Sequence, residues 1–255
     1  MGLDIGNTQA LAKKEKIKNA TNRAEDMLSM DTIVISSPAS THMDYIKMFQ
    51  DKNVLCEKPL TGGLLRMADI ESLKHKKIFV NYSFPFLKTA VKMKTVIDNG
   101  KLGEVFRIII NISPYFEIKH SPLGWFMDDA VHPLSWLNHI FSPFQLIQWH
   151  SSGNRPDIST VLSNGKQTLN LNLYEAHRIQ LDFDITIAGT KGVMKTSGGF
   201  VPGKFWNFGP LTLNGKVIMR GEKSTAGNDI WFTANCLSVK AFLETVNGNI
   251  TREES

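Results

Sequence analysis

Cysteine is nearly missing from this chain of 255 residues. Only Cys56 and Cys236 occur, with no Cys-x-x-Cys spacing. That excludes a disulfide-stapled fold and sets the expectation of a reducing compartment, the cytoplasm. Long apolar runs are missing as well: none approaches the roughly 18 residues that a membrane span needs. Met1 to Ala10 lacks the basic-then-apolar order of a signal peptide, so no membrane partner is expected. Charge of one sign is scarce. Lys and Arg number 29 against 24 Asp and Glu, leaving +5 and a pI near 9.1. This balance favours an anionic cofactor or substrate and is too weak for a nucleic-acid surface. Neither an internal repeat nor a low-complexity segment is present. What the chain does have is 42% hydrophobic residues, enough for one large core or two smaller ones.

The first part of the sequence alternates between two periodicities. A basic helical stretch at Gln9–Lys18 and a second, short helical stretch around Arg23–Leu28 precede Asp31–Ser36, a β-branched run that reads as a buried parallel strand ending at Ser37-Pro38. Thr41-His-Met-Asp44 has capping-box form, and the helix it opens is expected to run to about Lys52. Strand Asn53–Cys56, helix Leu64–Lys76, strand Ile78–Tyr82 and helix Lys88–Asn99 follow, with Gly100 as the stop. Such alternation implies an α/β domain with a parallel sheet. From Glu104 the pattern changes to strands at Val105–Asn111, Gln145–Trp149, Ser159–Leu162, Thr168–Tyr174, Gln180–Ile187 and Val193–Thr196. Turn signals such as Gly189-Thr-Lys-Gly192 join them, and one helix, Asp128–Phe141, interrupts them. The expected organisation is thus α/β over 1–103 followed by α+β over 104–255, the second an open, mostly antiparallel sheet with one early helix.

Two constellations carry candidate chemistry. Glu57-Lys58-Pro59 lies just past the carboxyl end of a strand, where open α/β sheets place their ligand crevice, and a lysine there can reach a reacting hydroxyl. The bland alternative is a solvated pair of charges with Pro59 opening a turn. Ser36-Ser37-Pro38 follows another strand end, where it either lines a nucleotide or simply turns the chain. Asp128 and His132, four residues apart, present a carboxylate and an imidazole on one helical face. That pair suits general-base work, although on spacing alone an N-cap plus a packed histidine near Trp125 and Trp136 is the better account. His139 lies further along the same helix, but no carboxylate or cysteine cluster surrounds it, so no metal is expected. Asp4-Ile-Gly-Asn-Thr8 resembles a kinase phosphate loop, yet only Met1-Gly-Leu3 precedes it. Cys56 beside Lys58 reads as a small buried strand residue.

In order, Ile33 to His42, Val54-Leu-Cys-Glu-Lys-Pro-Leu60, Gly100-Lys-Leu-Gly-Glu104, Asp128-x-Ala-x-His132 and Ile187-Ala-Gly-Thr-Lys-Gly192 resemble the landmarks of the Gfo/Idh/MocA oxidoreductases. The resemblance covers roughly Gln9 to Thr251. It implies a Rossmann domain for NAD or NADP, then an α+β domain that contributes substrate residues and a homodimer or homotetramer interface through its sheet. The implied reaction is hydride transfer between nicotinamide and a secondary hydroxyl or ketone of a sugar, cyclitol or sugar derivative. Lys58, Asp128 and His132 fall on the catalytic positions; Ser36, Ser37, Pro38, His42, Glu57, Lys58 and Asn81 fall on the cofactor side. Asp4 occupies the place that accepts ribose hydroxyls and favours NAD over NADP. The departures are Ala130 for the motif's glycine, Ser135 for the common acidic residue, and no Gly-x-Gly-x-x-Gly turn anywhere in the sequence. That last absence sets the expectation of a front strand-turn-helix unit missing from the pattern, and Ile250–Ser255 reads as the start of a final helix whose remainder is expected to be missing too. It also keeps a second reading open, a non-catalytic scaffold or oligomerising relative of such a dehydrogenase.

Overall fold

The computed structural model describes residues 5–62, 69, 71, 73, 77–113, 130–152, 157–174, 181–200 and 206–248. Packing divides the chain into two units, Met1–Val80 and Asn81–Ser255. The composition changes later, at Gly103. The earlier division has a physical cause: the helix that precedes Gly103 buries Ala90, Met93 and Val96 in the second unit's core together with Leu102.

The first unit contains α1 (Ile5–Lys14), a 3-10 turn at Ala24–Met27, β1 (Thr32–Ile35), a 3-10 turn at Ala39–Thr41, α2 (His42–Met48), β2 (Asn53–Glu57) and β3 (Ile78–Asn81). Asp69, Glu71 and Leu73 are helical; the rest of the helix expected over 64–76 lies outside the described residues. The three strands lie in the order β1-β2-β3. β1 runs parallel to β2, from Thr32 opposite Asn53 to Ile35 opposite Cys56. Val54, Leu55 and Cys56 are all buried, which marks β2 as central. β1 differs from the fully buried strand expected. Ile33 and Ile35 enter the core while Val34 is 60% exposed, because β1 stands at the sheet edge. The capping box also fails. The Thr41 hydroxyl donates to the Pro38 carbonyl at 2.8 Å and shares a 2.7 Å hydrogen bond with Ser37, so it makes no cap, and α2 stops at Met48.

The second unit opens with a 3-10 turn at Phe84–Phe86 and α3 (Lys88–Asp98). After these come β4 (Val105–Ser113), α4 (Val131–Ile140), β5 (Gln145–Ser151), β6 (Asp157–Ser163), β7 (Thr168–Tyr174), β8 (Leu181–Gly189) and β9 (Gly192–Phe200). Short strands β10 (Asn207–Phe208), β11 (Leu211–Leu213), β12 (Lys216–Met219) and β13 (Glu222–Lys223) lead to α5 (Ile230–Val246). The ten-stranded sheet runs β12-β11-β9-β8-β4-β7-β6-β5, with β10 bridging β9 and β13. β4 and β7 pair in parallel, whereas β4–β8, β8–β9, β7–β6 and β6–β5 are antiparallel. One face of the sheet carries Ile108, Ile110 and Ile112 of β4, Leu169, Leu171 and Leu173 of β7, and Ile185 and Ile187 of β8, all buried with Trp136 and Leu137 of α4. The other face is polar at its centre: Asn172 donates to Asn111 at 2.8 Å, and Asn111 donates to the Asp184 carboxylate at 3.0 Å. The Gly189 to Gly192 turn forms as expected, and a Cβ on Gly189 would lie 2.3 Å from the Leu102 carbonyl oxygen, so no larger residue fits.

The expectation of one helix in this half is corrected by α5, which spans 17 residues. Asp229 caps it, accepting from the backbone N–H groups of Trp231 at 2.8 Å and Phe232 at 3.1 Å. Leu171 tests where the core lies. Leu171→Ala should lower the unfolding free energy by about 3 kcal/mol in urea titration. Val217→Ala, at a site 59% exposed, should change it by less than about 0.5 kcal/mol.

Candidate functional site

In the first unit, β1 and β2 are parallel neighbours, so their carboxyl ends deliver two loops side by side. Ser36-Ser37-Pro38 leaves β1. Glu57 is the last residue of β2, Lys58 follows it half-buried, and the Lys58–Pro59 peptide is cis. His42 opens α2 between these loops and is 1% exposed. Its Nδ1 lies 2.9 Å from the Pro59 carbonyl oxygen and its Nε2 lies 2.8 Å from that of Ser37. A backbone bond from Gly62 N–H to the Ala39 carbonyl, 3.1 Å, adds a second tie. Beside β1 opens a cavity of about 380 Å3, bounded by Asn22, Ser36, Ser37, Thr41, Tyr45 and Phe49 among others. Hydroxyls and a carboxamide on apolar walls suit the ribose and base of a nucleotide. Asn81, 5% exposed, ends β3.

Cys56 is fully buried and its thiol donates to the Glu57 carbonyl at 3.4 Å. Burial, with a smaller contribution from the Glu57 charge, pushes this thiol up from 9.0 to about 12. It therefore stays protonated and unreactive, as a small strand residue should. Asp4 lies outside the described residues. Ile5 to Thr8 form the first turn of α1, so that stretch is helix and not a phosphate loop.

In the second unit, His132 is the second residue of α4. Its ring stands perpendicular to Trp231, at 86° and 5.0 Å between centroids. Trp231 stacks on Trp206 at 4.7 Å and 15°, and Phe200 lies 5.2 Å beyond. These three aromatic rings form a row leading to the imidazole. Next to it sits an apolar cavity of about 40 Å3 whose walls include Phe84, Ile110, Pro133 and Phe183. An imidazole held among aromatic rings is fixed in orientation and shielded from bulk water, which suits a base for one defined proton. Ala130 is fully buried in the core, and the Ser135 hydroxyl donates back to the His132 carbonyl at 2.8 Å. Asp128 lies outside the described residues. His139 is exposed, and among the described residues no three His, Cys, Asp or Glu side chains gather as a metal would require. Sequence reasoning missed Trp206 and Trp231. Trp231 sits on the unexpected α5, and the Asp229 cap ahead of an apolar run was the signal that could have found it.

Residues 3–82 match the family model described as "Oxidoreductase family, NAD-binding Rossmann fold", the Gfo/Idh/MocA family. Over that stretch the chain is similar to the Gfo/Idh/MocA oxidoreductases. It is similar to an inositol 2-dehydrogenase of Rhizobium meliloti, 30% identical over 118 residues that cover 42% of this chain and 36% of that enzyme. A D-xylose 1-dehydrogenase (NADP(+)) of Hypocrea jecorina is 26% identical over 161 residues, 55% of this chain and 40% of that enzyme. The chain's match thus spans well under half the length of either relative. Among solved structures, a probable dehydrogenase from Thermotoga maritima superposes with a TM-score of 0.73 at 16% identity, covering 97% of this chain and 81% of that one. A levoglucosan dehydrogenase complexed with NADH and levoglucosan gives 0.72 at 14% identity, over 96% of this chain and 79% of that one. At such identities the superpositions establish a shared fold.

The two cysteines give a direct check. Cys236 is exposed and Cys56 buried, so a thiol reagent should label one site per native chain and two after denaturation. Rapid native labelling of Cys56 would contradict the site described. Because its folded-state value is raised, Cys56 supports folding fully below pH about 9 and loses that contribution as pH climbs toward about 12.

Proposed function

We propose that this chain is an NAD(P)-linked oxidoreductase acting on a secondary hydroxyl or ketone of a sugar, cyclitol or sugar derivative. The observation that carries the reading is that the segment matching the family, residues 3–82, contains both strand-end loops, with Lys58 delivered past the central strand β2. Residues around the cavity beside β1 fit the nucleotide's ribose and base, and Ser36, Ser37 and Pro38 would line it; Glu57 and Asn81 are assigned to the cofactor by the family resemblance. Asp4 is assigned to the ribose hydroxyls, an assignment that favours NAD. When bound, the nicotinamide supplies the hydride acceptor or donor.

The chain's own residues handle the proton. Lys58 brings an ammonium to the substrate oxygen, where negative charge develops as the carbinol carbon loses its hydride. His132 takes the hydroxyl proton in oxidation and returns it in reduction. Asp128, four positions earlier in the sequence, is assigned the role of orienting the imidazole and stabilising its protonated form. The relatives named for inositol and xylose support the polyol class. We further propose that copies of the chain associate through the open face of the ten-stranded sheet.

The test is a screen of cyclitols, aldoses and anhydrosugars with NAD and NADP, followed by Lys58→Ala and His132→Asn. Each variant should lower kcat/KM by about 100-fold or more for the best substrate. Turnover unchanged in both would overturn the residue assignment. Absence of any nicotinamide-linked turnover from a folded chain that still forms oligomers would favour the scaffold reading instead.

A further inference from the structure

We infer that His42 is held as an imidazolium that donates from both ring nitrogens, and that this ring is a positioning residue joining the two loops of the crevice. Both of its partners are backbone carbonyl oxygens, Pro59 at 2.9 Å from Nδ1 and Ser37 at 2.8 Å from Nε2. A carbonyl oxygen only accepts, and a neutral imidazole carries a single N–H. In either neutral tautomer one nitrogen lone pair would face an oxygen lone pair at hydrogen-bond distance. At 1% exposure, bulk water cannot take the place of either partner. Turning the ring over would put carbons where both nitrogens now meet oxygens. Two donated, charge-assisted bonds are the arrangement that satisfies every atom.

The charged side chains on the packed segments are few. Asp44 and Lys47 on α2 are exposed, Glu57 and Lys58 flanking the Pro59 turn are half-buried, and Ser36 to Pro38 carry no charge. The ring therefore acts through the backbone. Ser37 and Pro59 are 22 positions apart, and one side chain, alongside the Gly62–Ala39 backbone bond, ties the loop lining the cavity to the loop bearing Lys58. With both nitrogens committed to carbonyls, His42 has no polar atom left for a cofactor, so its influence on cofactor binding is indirect.

The charge state stands on the hydrogen bonds alone, while the effect on cofactor binding rests on the function proposed above. Ring 15N spectra of the histidine-labelled chain near neutral pH, with the His42 signals identified by their loss in His42→Phe, should show hydrogen on both nitrogens. A lone-pair nitrogen at His42 would overturn the imidazolium. His42→Phe should also weaken NADH or NADPH binding by at least about tenfold with unchanged far-UV circular dichroism. Unchanged affinity would overturn the positioning role. Should the wild-type chain bind neither nucleotide, the proposed function fails while the 15N result still decides the charge. Should His42→Phe not fold, His42→Gln, which keeps one donor group, takes its place in both measurements.

Discussion

Strand β4 sets the geometry of the larger unit. It is the strand with a parallel neighbour on one side, β7, and an antiparallel neighbour on the other, β8. Its alternation therefore decides both faces of the sheet at once. Ile108, Ile110 and Ile112 turn toward the helices, and the cavity beside His132 is built on two of them, Ile110 and Ile112. Asn111, one residue out of phase, turns the other way and ties Asn172 to Asp184 across three strands. A one-residue register slip would send the isoleucines to the polar face and put Asn111 in the core without partners, which costs far more than the hydrogen bonds contribute. The place of His132 thus follows from the pleat of a strand about twenty residues earlier in the sequence.

The smaller unit solves a different problem. Two parallel strands end together, and the loops leaving them present carbonyl groups that no strand can satisfy. One histidine ring meets two of those carbonyls, from Ser37 and Pro59. Thr41 turns its hydroxyl to a third, that of Pro38, at the expense of capping α2. The helix is correspondingly short, ending at Met48. Local helix chemistry gives way here to loop placement.

What the sequence made legible follows from the range of the forces involved. Thr168–Tyr174 and the helix ending before Gly100 came out as expected, because alternation and a left-handed glycine are local signals: Gly100 has φ of 62°. Lys58 was legible as a candidate because a strand end is itself a local feature. The partners of His42 were not, since they lie 5 and 17 positions away and meet only after β1 and β2 pair. Helix α5 was missed because its apolar residues, from Ile230 through Trp231 and Phe232 to Leu243, do not keep to one stripe; Phe232 is 68% exposed while Ala234 and Phe242 are buried. Strands β10 and β13, two residues each, are too short to show a period at all.

The departures from the family pattern acquire physical meaning once their surroundings are known. Ala130 is fully buried in the second unit's core, so its methyl group adds apolar contact at the entrance to α4 where a glycine would leave backbone freedom. Ser135 stands where an acidic residue is common, and its hydroxyl is spent on the His132 carbonyl. A carboxylate reaching outward from that turn would offer a charged contact to a ligand; the serine offers none. Among the described residues, the walls of the cavity beside His132 are rings and aliphatic groups, from Phe84 and Pro133 to Trp206 and Trp231. Binding energy in such a surrounding comes from apolar area and ring faces, so discrimination there would depend on a ligand's shape and C–H surface more than on its count of hydroxyls.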